Sequence, residues 1–469
     1  MKPHAKARSC KTVKKKQKIR VISISSIPSR LRVRQPPFSP SQTGSPVYSL
    51  RQMKKQIPSI FAPYLALSLS GIMLLAGLAP LTAAPKEDAQ PAAAVPAASG
   101  VQYEFIGRYD VDRLNQILTK DTPAFTGLPV TYTPARNAVK MYRVTYPSVI
   151  PERNNRPTIA SGLIAIPETA EKSMPMVSYQ HGTVMEKHAV PSFPEESQET
   201  QLMIAQFAGQ GYIVIGADYF GMGTSTEKDG YMVIGSQQQA CMDMYRSSLS
   251  VLAKEGISPK ELFLTGWSQG GVVTMCFLEV LEKNNVAVAA VGTAAAQCDG
   301  YVMLSGFLNH PRSIDAPWVS AMFILTAFSY EEYYGVPGLA KALFTDEQYE
   351  LARKIYMKEP YTEPWPGDLH KLIRKEYFDP NYFAGTTYCT LIQKLHTYRW
   401  QVKTNVHMYY GDIDECLTIG LAQLPSMYQR ALGSNSVEAI SAGADANHRG
   451  TFARATPEWK KWFDSLRAK

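Results

Sequence analysis

The chain has 469 residues, 45% of them apolar, so it can bury a sizeable core as one large domain or two ordinary ones. Its formal net charge of +9 would suit a nucleic-acid or anionic-membrane partner, but the charge is unevenly placed. Residues 1–52 hold thirteen Lys and Arg and no Asp or Glu, Lys54 and Lys55 follow, and removing these fifteen charges from +9 leaves −6 from Ala84 onward. The folded part is mildly acidic, which argues against a nucleic-acid partner.

The first element is therefore a basic leader, residues 1–52, expected to be a mis-assigned start, with translation beginning at Met53. Residues 53–83 then read as a secretory signal peptide: two lysines, a Leu-rich stretch from Tyr64 to Leu78, and Leu81-Thr82-Ala83 before a cleavage point. This predicts a secreted or periplasmic protein starting at Ala84, the alternative being an uncleaved membrane anchor. No Cys follows the run, so no lipid-modified N-terminus is expected. Residues 84–100 are a Pro/Ala linker too poor in apolar bulk to pack.

From Val101 the composition is globular and β-rich runs alternate with helical patterns, as in parallel βαβ units. VKMYRVTYP and TIASGLIAIP suit an opening antiparallel pair. MPMVSYQHGT is a buried strand, a helix follows around Gln201 to Ala208, and YIVIGADYFGMG is the next strand. Residues 236–254 form a helix, ELFLTG a strand, Gly270 to Leu281 a helix and VAVAAVGTAA a strand. The alternation then stops. From about 299 to 401 the pattern is helical and rich in large aromatics, with Thr345 and Gln348 spaced as a capping box before DEQYELARKIYM. It resumes with NVHMYYGDID, a helix from Leu421 to Leu432, the strand VEAISA and a last helix from Pro457 to Leu466. An insertion of this size between strands of one sheet predicts a lid over the sheet's carboxyl edge, where ligands of α/β sheets bind.

Gly266-Trp267-Ser268-Gln269-Gly270 has the GxSxG form, with an apolar strand running into it and an apolar helix running out. That context makes Ser268 a candidate nucleophile. A serine hydroxyl needs a base, and the base needs an acid to orient it. Of the seven histidines beyond the leader, His448 follows the last strand and precedes the last helix, which places it at the carboxyl edge of the sheet. Asp414, in YYGDIDEC, is the candidate acid, with Asp412 and Asp299 as alternatives. The oxyanion would need amide donors, for which the backbone N–H groups of Gln269 and of Thr183 in YQHGTV are the candidates. His181 then holds the loop.

Five cysteines lie beyond the leader, namely Cys241, Cys276, Cys298, Cys389 and Cys416, enough for up to two disulfides in an exported protein. Cys276 sits among Val272, Val273, Phe277 and Val280 at helical spacing and reads as a buried, inert thiol. No CxxC or Cys/His spacing suggests a metal site.

The order Ser268, Asp414, His448, with YQHGT, ADYFGMGTS, GWSQGG and GxxD, resembles the α/β-hydrolase superfamily and within it the secretory lipase and esterase branch. The resemblance covers most of the chain from about residue 130. It implies an eight-stranded, mostly parallel sheet flanked by helices with a helical lid, and ester hydrolysis through a serine ester with no metal or organic cofactor. The aromatic-rich insertion itself favours a hydrophobic acyl or aromatic ester as substrate, and transient lipid-surface contact through the lid is expected. After Asp414 the chain reads ECLT, where many relatives have Val-Pro. Two other functions fit the same residues: a peptidase of the prolyl or aminopeptidase kind, and an inactive binding module.

Overall fold

The computed structural model describes residues 100–467. The expected leader, signal peptide and all but the last residue of the linker lie outside the described residues. Nine strands form one sheet: β1 (Gln102–Tyr109), β2 (Val139–Ile150), β3 (Arg156–Pro167), β4 (Ser173–Gln180), β5 (Ile213–Ala217), β6 (Ser258–Trp267), β7 (Ala290–Ala294), β8 (Val406–Tyr410) and β9 (Val437–Ser441). Their spatial order is β1-β2-β3-β5-β4-β6-β7-β8-β9. The expected antiparallel pair is β2 and β3, in unbroken register from Val139 with Pro167 to Ile150 with Arg156. From β5 to β9 all pairings are parallel. Of these, β4, β5 and β7 are covered on both faces, which is why they read as continuous apolar runs rather than alternating ones.

The eight strands implied by the resemblance become nine because of β1. QYEFIGRY is half exposed, and its register shifts between Phe105 and Gly107, so it lacks a clean period of two.

Between β1 and β2 lie the short helices α1 (Val111–Gln116) and α2 (Thr122–Thr126). Then come α3 (Gln198–Gln206) before β5, α4 (Ile234–Lys254) before β6 and α5 (Gln269–Lys283) before β7. The inserted cap between β7 and β8 comprises α6 (Gly300–Asn309), α7 (Ser320–Tyr334), α8 (Leu339–Leu343), α9 (Asp346–Met357), α10 (Leu369–Leu372), α11 (Pro380–Ala384) and α12 (Thr387–Ile392). After β8 come α13 (Ile419–Ala431) and, following β9, α14 (His448–Leu466). Among the described residues no helix is long and apolar enough to cross a membrane.

Three local expectations are corrected. The last helix begins at His448 rather than Pro457 and carries Pro457 in its interior. Proline removes the N–H that would bond the carbonyl four residues earlier, that of Ala453, and there the buried Tyr132 hydroxyl donates instead at 3.0 Å. Thr345 makes no capping bond, because its hydroxyl donates to the Lys371 carbonyl at 2.8 Å. The five described cysteines are all free and buried, so they form no disulfide with one another.

The strand order reverses at β4, whose neighbours are β5 on one side and β6 on the other. The crevice outside the carboxyl ends of β4 and β6 is thus a topological switch point, the place where such sheets bind ligands. The loop after β4 and the turn after β6 both open there.

Candidate active site

β6 enters the site through six consecutive buried residues, Leu262 to Trp267, and α5 leaves it at Gln269. Ser268 sits between them at φ 57°, ψ −123°, a conformation an L-residue adopts only under constraint. The Ser268 N–H donates to the Ala294 carbonyl on β7 at 2.9 Å, and its own carbonyl receives the Gly271 N–H at 2.9 Å. The turn is tight enough that a Cβ on Gly270 would lie 1.9 Å from the Gln180 carbonyl oxygen of β4. Only glycine fits there.

His448 opens α14, with Asn447 as its N-cap accepting from the Gly450 N–H at 2.8 Å. Its Nε2 lies 2.9 Å from Ser268 Oγ, and its Nδ1 lies 3.0 and 3.1 Å from the two oxygens of Asp414. A carboxylate only accepts, so Nδ1 carries the proton and the Nε2 lone pair faces the serine hydroxyl. Asp414 is 1% exposed, and its Oδ1 also accepts the N–H groups of Cys416 and Leu417, each at 2.8 Å. Its backbone carbonyl receives Arg312 at 3.0 Å, and Arg312 pairs with Asp315 at 2.7 Å.

The other acids are accounted for elsewhere. Asp299 caps α6 and accepts from the Tyr398 hydroxyl and Arg399, so it ties the start of the cap to the segment that leads into β8. Asp412 accepts from Ser441, the last residue of β9. Glu415 accepts the His448 N–H at 2.9 Å.

Gln269, the first residue of α5, has no intrahelical partner for its N–H, as at any helix start. On the facing loop, the Thr183 hydroxyl bonds the Tyr231 hydroxyl at 3.0 Å. The neighbouring Gly182 N–H is already engaged by both oxygens of Glu199, at 3.0 and 3.1 Å. His181 is buried under the loop, its Nδ1 2.8 Å from the Gly182 carbonyl and its Nε2 3.1 Å from the Asp218 carbonyl, stacked on Tyr219. Burial lowers its pKa, and its place is that of a loop anchor.

No family profile and no curated protein matches the chain. Solved structures do. A candidate hydrolase from Legionella pneumophila superposes with a TM-score of 0.68 at 19% identity, covering 78% of this chain and 97% of the other. The rice cell wall degrading esterase LipA from Xanthomonas oryzae gives 0.65 at 19%, covering 79% and 100%. Candida antarctica lipase A in its closed state gives 0.57 at 14%, covering 78% and 82%. The chain has the α/β-hydrolase fold.

In this α/β-hydrolase fold the cap closes over Ser268 to leave a cavity of about 720 Å³, within the range of small-molecule sites. Its walls are apolar and aromatic, built from Phe125, Met185, Trp267, Trp318, Met322 and Trp365, with Thr183, Glu415 and Arg449 as polar contributors. The rings of Trp267 and Trp318 flank His448 at 5.2 and 5.4 Å. Sequence reasoning missed Phe125 and α2. TPAFTG does carry a readable helix signature, Pro in the first turn and Gly127 at the left-handed C-cap. Its place in the cleft depends on contacts with α14, which sequence spacing does not encode. Among the described residues no three His, Cys, Asp or Glu side chains converge as metal ligands.

Proposed function

We propose that the protein is an exported serine hydrolase that cleaves carboxylic esters with hydrophobic acyl or aromatic groups. The observation that carries this reading is the buried hydrogen-bonded series from Asp414 through His448 to Ser268 at the floor of an aromatic cavity. Ser268 Oγ attacks the acyl carbon while His448 Nε2 takes its proton, and Asp414 offsets the charge on the imidazolium. The oxyanion of the tetrahedral intermediate meets the Gln269 and Thr183 amides. His448 then returns the proton to the leaving alkoxide, which departs as an alcohol. Water attacks the serine ester by the same relay and frees the acid.

The substrate class rests on the cavity lining, where large rings and two methionines offer apolar contact over most of a ligand's surface. The esterase and the lipase with the same fold are in keeping with it. Trp318, which lines the cavity, and Ile413, beside the acid, are 38% and 49% exposed, which supports transient contact of the mouth with a lipid surface. Export rests on the signal-like run before Ala84.

The test is to incubate protein starting at Ala84 with a fluorophosphonate probe beside its Ser268→Ala variant, and to assay p-nitrophenyl esters of increasing chain length and aminoacyl anilides. Labelling and ester turnover by the parent alone are expected. Equal labelling of both proteins, or of neither, refutes the nucleophile and favours a binding module, and preferred turnover of anilides would make the protein a peptidase.

A further inference from the structure

The carboxyl of Glu199, in the first turn of α3, lies directly beneath the loop that follows β4. It is buried, and among the described residues no Lys or Arg forms an ion pair with it. Its two oxygens straddle the Gly182 N–H at 3.0 and 3.1 Å. A Cβ on Gly182 would lie 3.2 Å from both Glu199 Oε2 and the Trp267 carbonyl, so loop, carboxyl and nucleophile turn are packed as one unit. The groups facing this carboxyl are the Tyr179 hydroxyl of β4 and the Tyr219 hydroxyl after β5. The buried Tyr179 hydroxyl is the carboxyl's side-chain hydrogen-bonding neighbour, set too loosely to count as a well-formed bond.

We propose that Glu199 is a positioning residue of the oxyanion site: its carboxyl holds the Gly182 N–H back from the cleft and leaves the Thr183 N–H as the loop's donor to the oxyanion. The proposal rests on the ester-hydrolase reading above. Burial pushes the Glu199 carboxyl up from its ordinary 4.5 to about 8, so it is largely protonated at neutral pH. Once ionised, it places a negative charge beside the point where the oxyanion forms, and turnover falls. Tyr179 and Tyr219 are themselves held well above their ordinary range by burial and stay neutral across this titration.

The experiment compares the parent with Glu199→Gln, Glu199→Ala and Ser268→Ala, measuring kcat and KM for one p-nitrophenyl ester as a function of pH, with circular dichroism to establish folding. Glu199→Ala frees the Gly182 amide, and kcat is expected to fall about 100-fold, the order seen when an oxyanion donor is lost, with KM little changed. Glu199→Gln keeps an acceptor for that amide and cannot ionise. It should retain most of the parent's kcat at neutral pH and lack the parent's loss of kcat above about pH 8. A folded Glu199→Ala protein with the parent's kcat would overturn the proposal, as would a Glu199→Gln protein that shares the parent's alkaline fall. If Glu199→Ala fails to fold, the alkaline limb of Glu199→Gln decides alone. Undiminished turnover by Ser268→Ala would instead overturn the hydrolase reading beneath it, whatever the Glu199 variants do.

Discussion

Replacing Asp414 by asparagine changes one oxygen to an NH₂ group at a place where every neighbour donates. Oδ1 accepts two backbone N–H groups at 2.8 Å, and both oxygens face His448 Nδ1 at 3.0 to 3.1 Å. If the new NH₂ takes the Oδ1 position, the Cys416 and Leu417 amides lose a buried acceptor, at a cost of about 1–3 kcal/mol each. The amide therefore turns its oxygen toward Cys416 and Leu417 and its NH₂ toward His448. His448 Nδ1 must then accept, which puts the ring proton on Nε2 and points it at Ser268. A base carrying its proton on that side cannot take the serine's, so kcat for an ester should fall about 10⁴-fold. Because the two backbone bonds survive, thermal stability should change little. Parallel measurement of kcat and the melting temperature tests both halves. A kcat within tenfold of the parent would refute Asp414 as the orienting acid, and a large loss of stability would refute the assigned amide orientation.

Arg312→Met removes charged hydrogen bonds to Asp315 and to the Asp414 carbonyl, and should lower unfolding free energy by about 1–3 kcal/mol in urea titrations and reduce kcat by loosening the acid's turn. Trp318→Ala opens the cavity wall beside His448, and the p-nitrophenyl series should show a longer optimal chain, by about fourfold in rate for each methylene newly accommodated. A thiol reagent should leave Cys241, Cys276, Cys298, Cys389 and Cys416 unmodified in the native state and label all five after unfolding in urea, since each is buried and burial pushes each thiol's pKa up. Glu199 binds a proton in the folded state at pH values where the unfolded chain has lost it. Its contribution to stability is therefore full below about pH 4.5 and declines up to about pH 8, at up to about 1.4 kcal/mol per pH unit. Denaturation of Glu199→Gln across that window should show a shallower dependence on pH.

The turn that carries the candidate nucleophile was legible because its determinants are local: an apolar strand, a serine between close-packed glycines and an apolar helix, all within about twenty residues. The candidate acid was less legible. Asp299, Asp412 and Asp414 all follow strands, and what separates them is which partners long-range packing supplies. Tyr398 and Arg399 occupy Asp299, Ser441 takes Asp412, and Asp414 is left to His448. Glu199 escaped notice for a related reason. A Glu in the first turn of a helix suits the helix dipole and usually faces solvent, and nothing in QETQLMIAQ reveals that the β4 loop covers it. β1 was lost to its bulge, and the start of α14 was misplaced because Pro457 favours a helix N-terminus whose missing N–H a distant tyrosine in fact compensates.

The departure at ECLT has a structural account. Proline in the second position after the acid would have no N–H, whereas here the Cys416 N–H donates to Asp414 Oδ1. Valine in the first position would have no acceptor, whereas Glu415 takes the His448 N–H at 2.9 Å. On its other side the His448 carbonyl receives the Trp267 indole N–H at 3.1 Å. His448 is thus held at both main-chain ends, by Glu415 next to Asp414 and by Trp267 next to Ser268. Across separations of 34 and 180 positions, the three side chains are registered through backbone anchors as well as through their own hydrogen bonds. Small displacements of α14 would strain both neighbours together, so a set of directed hydrogen bonds fixes His448 against the turns at Asp414 and Ser268.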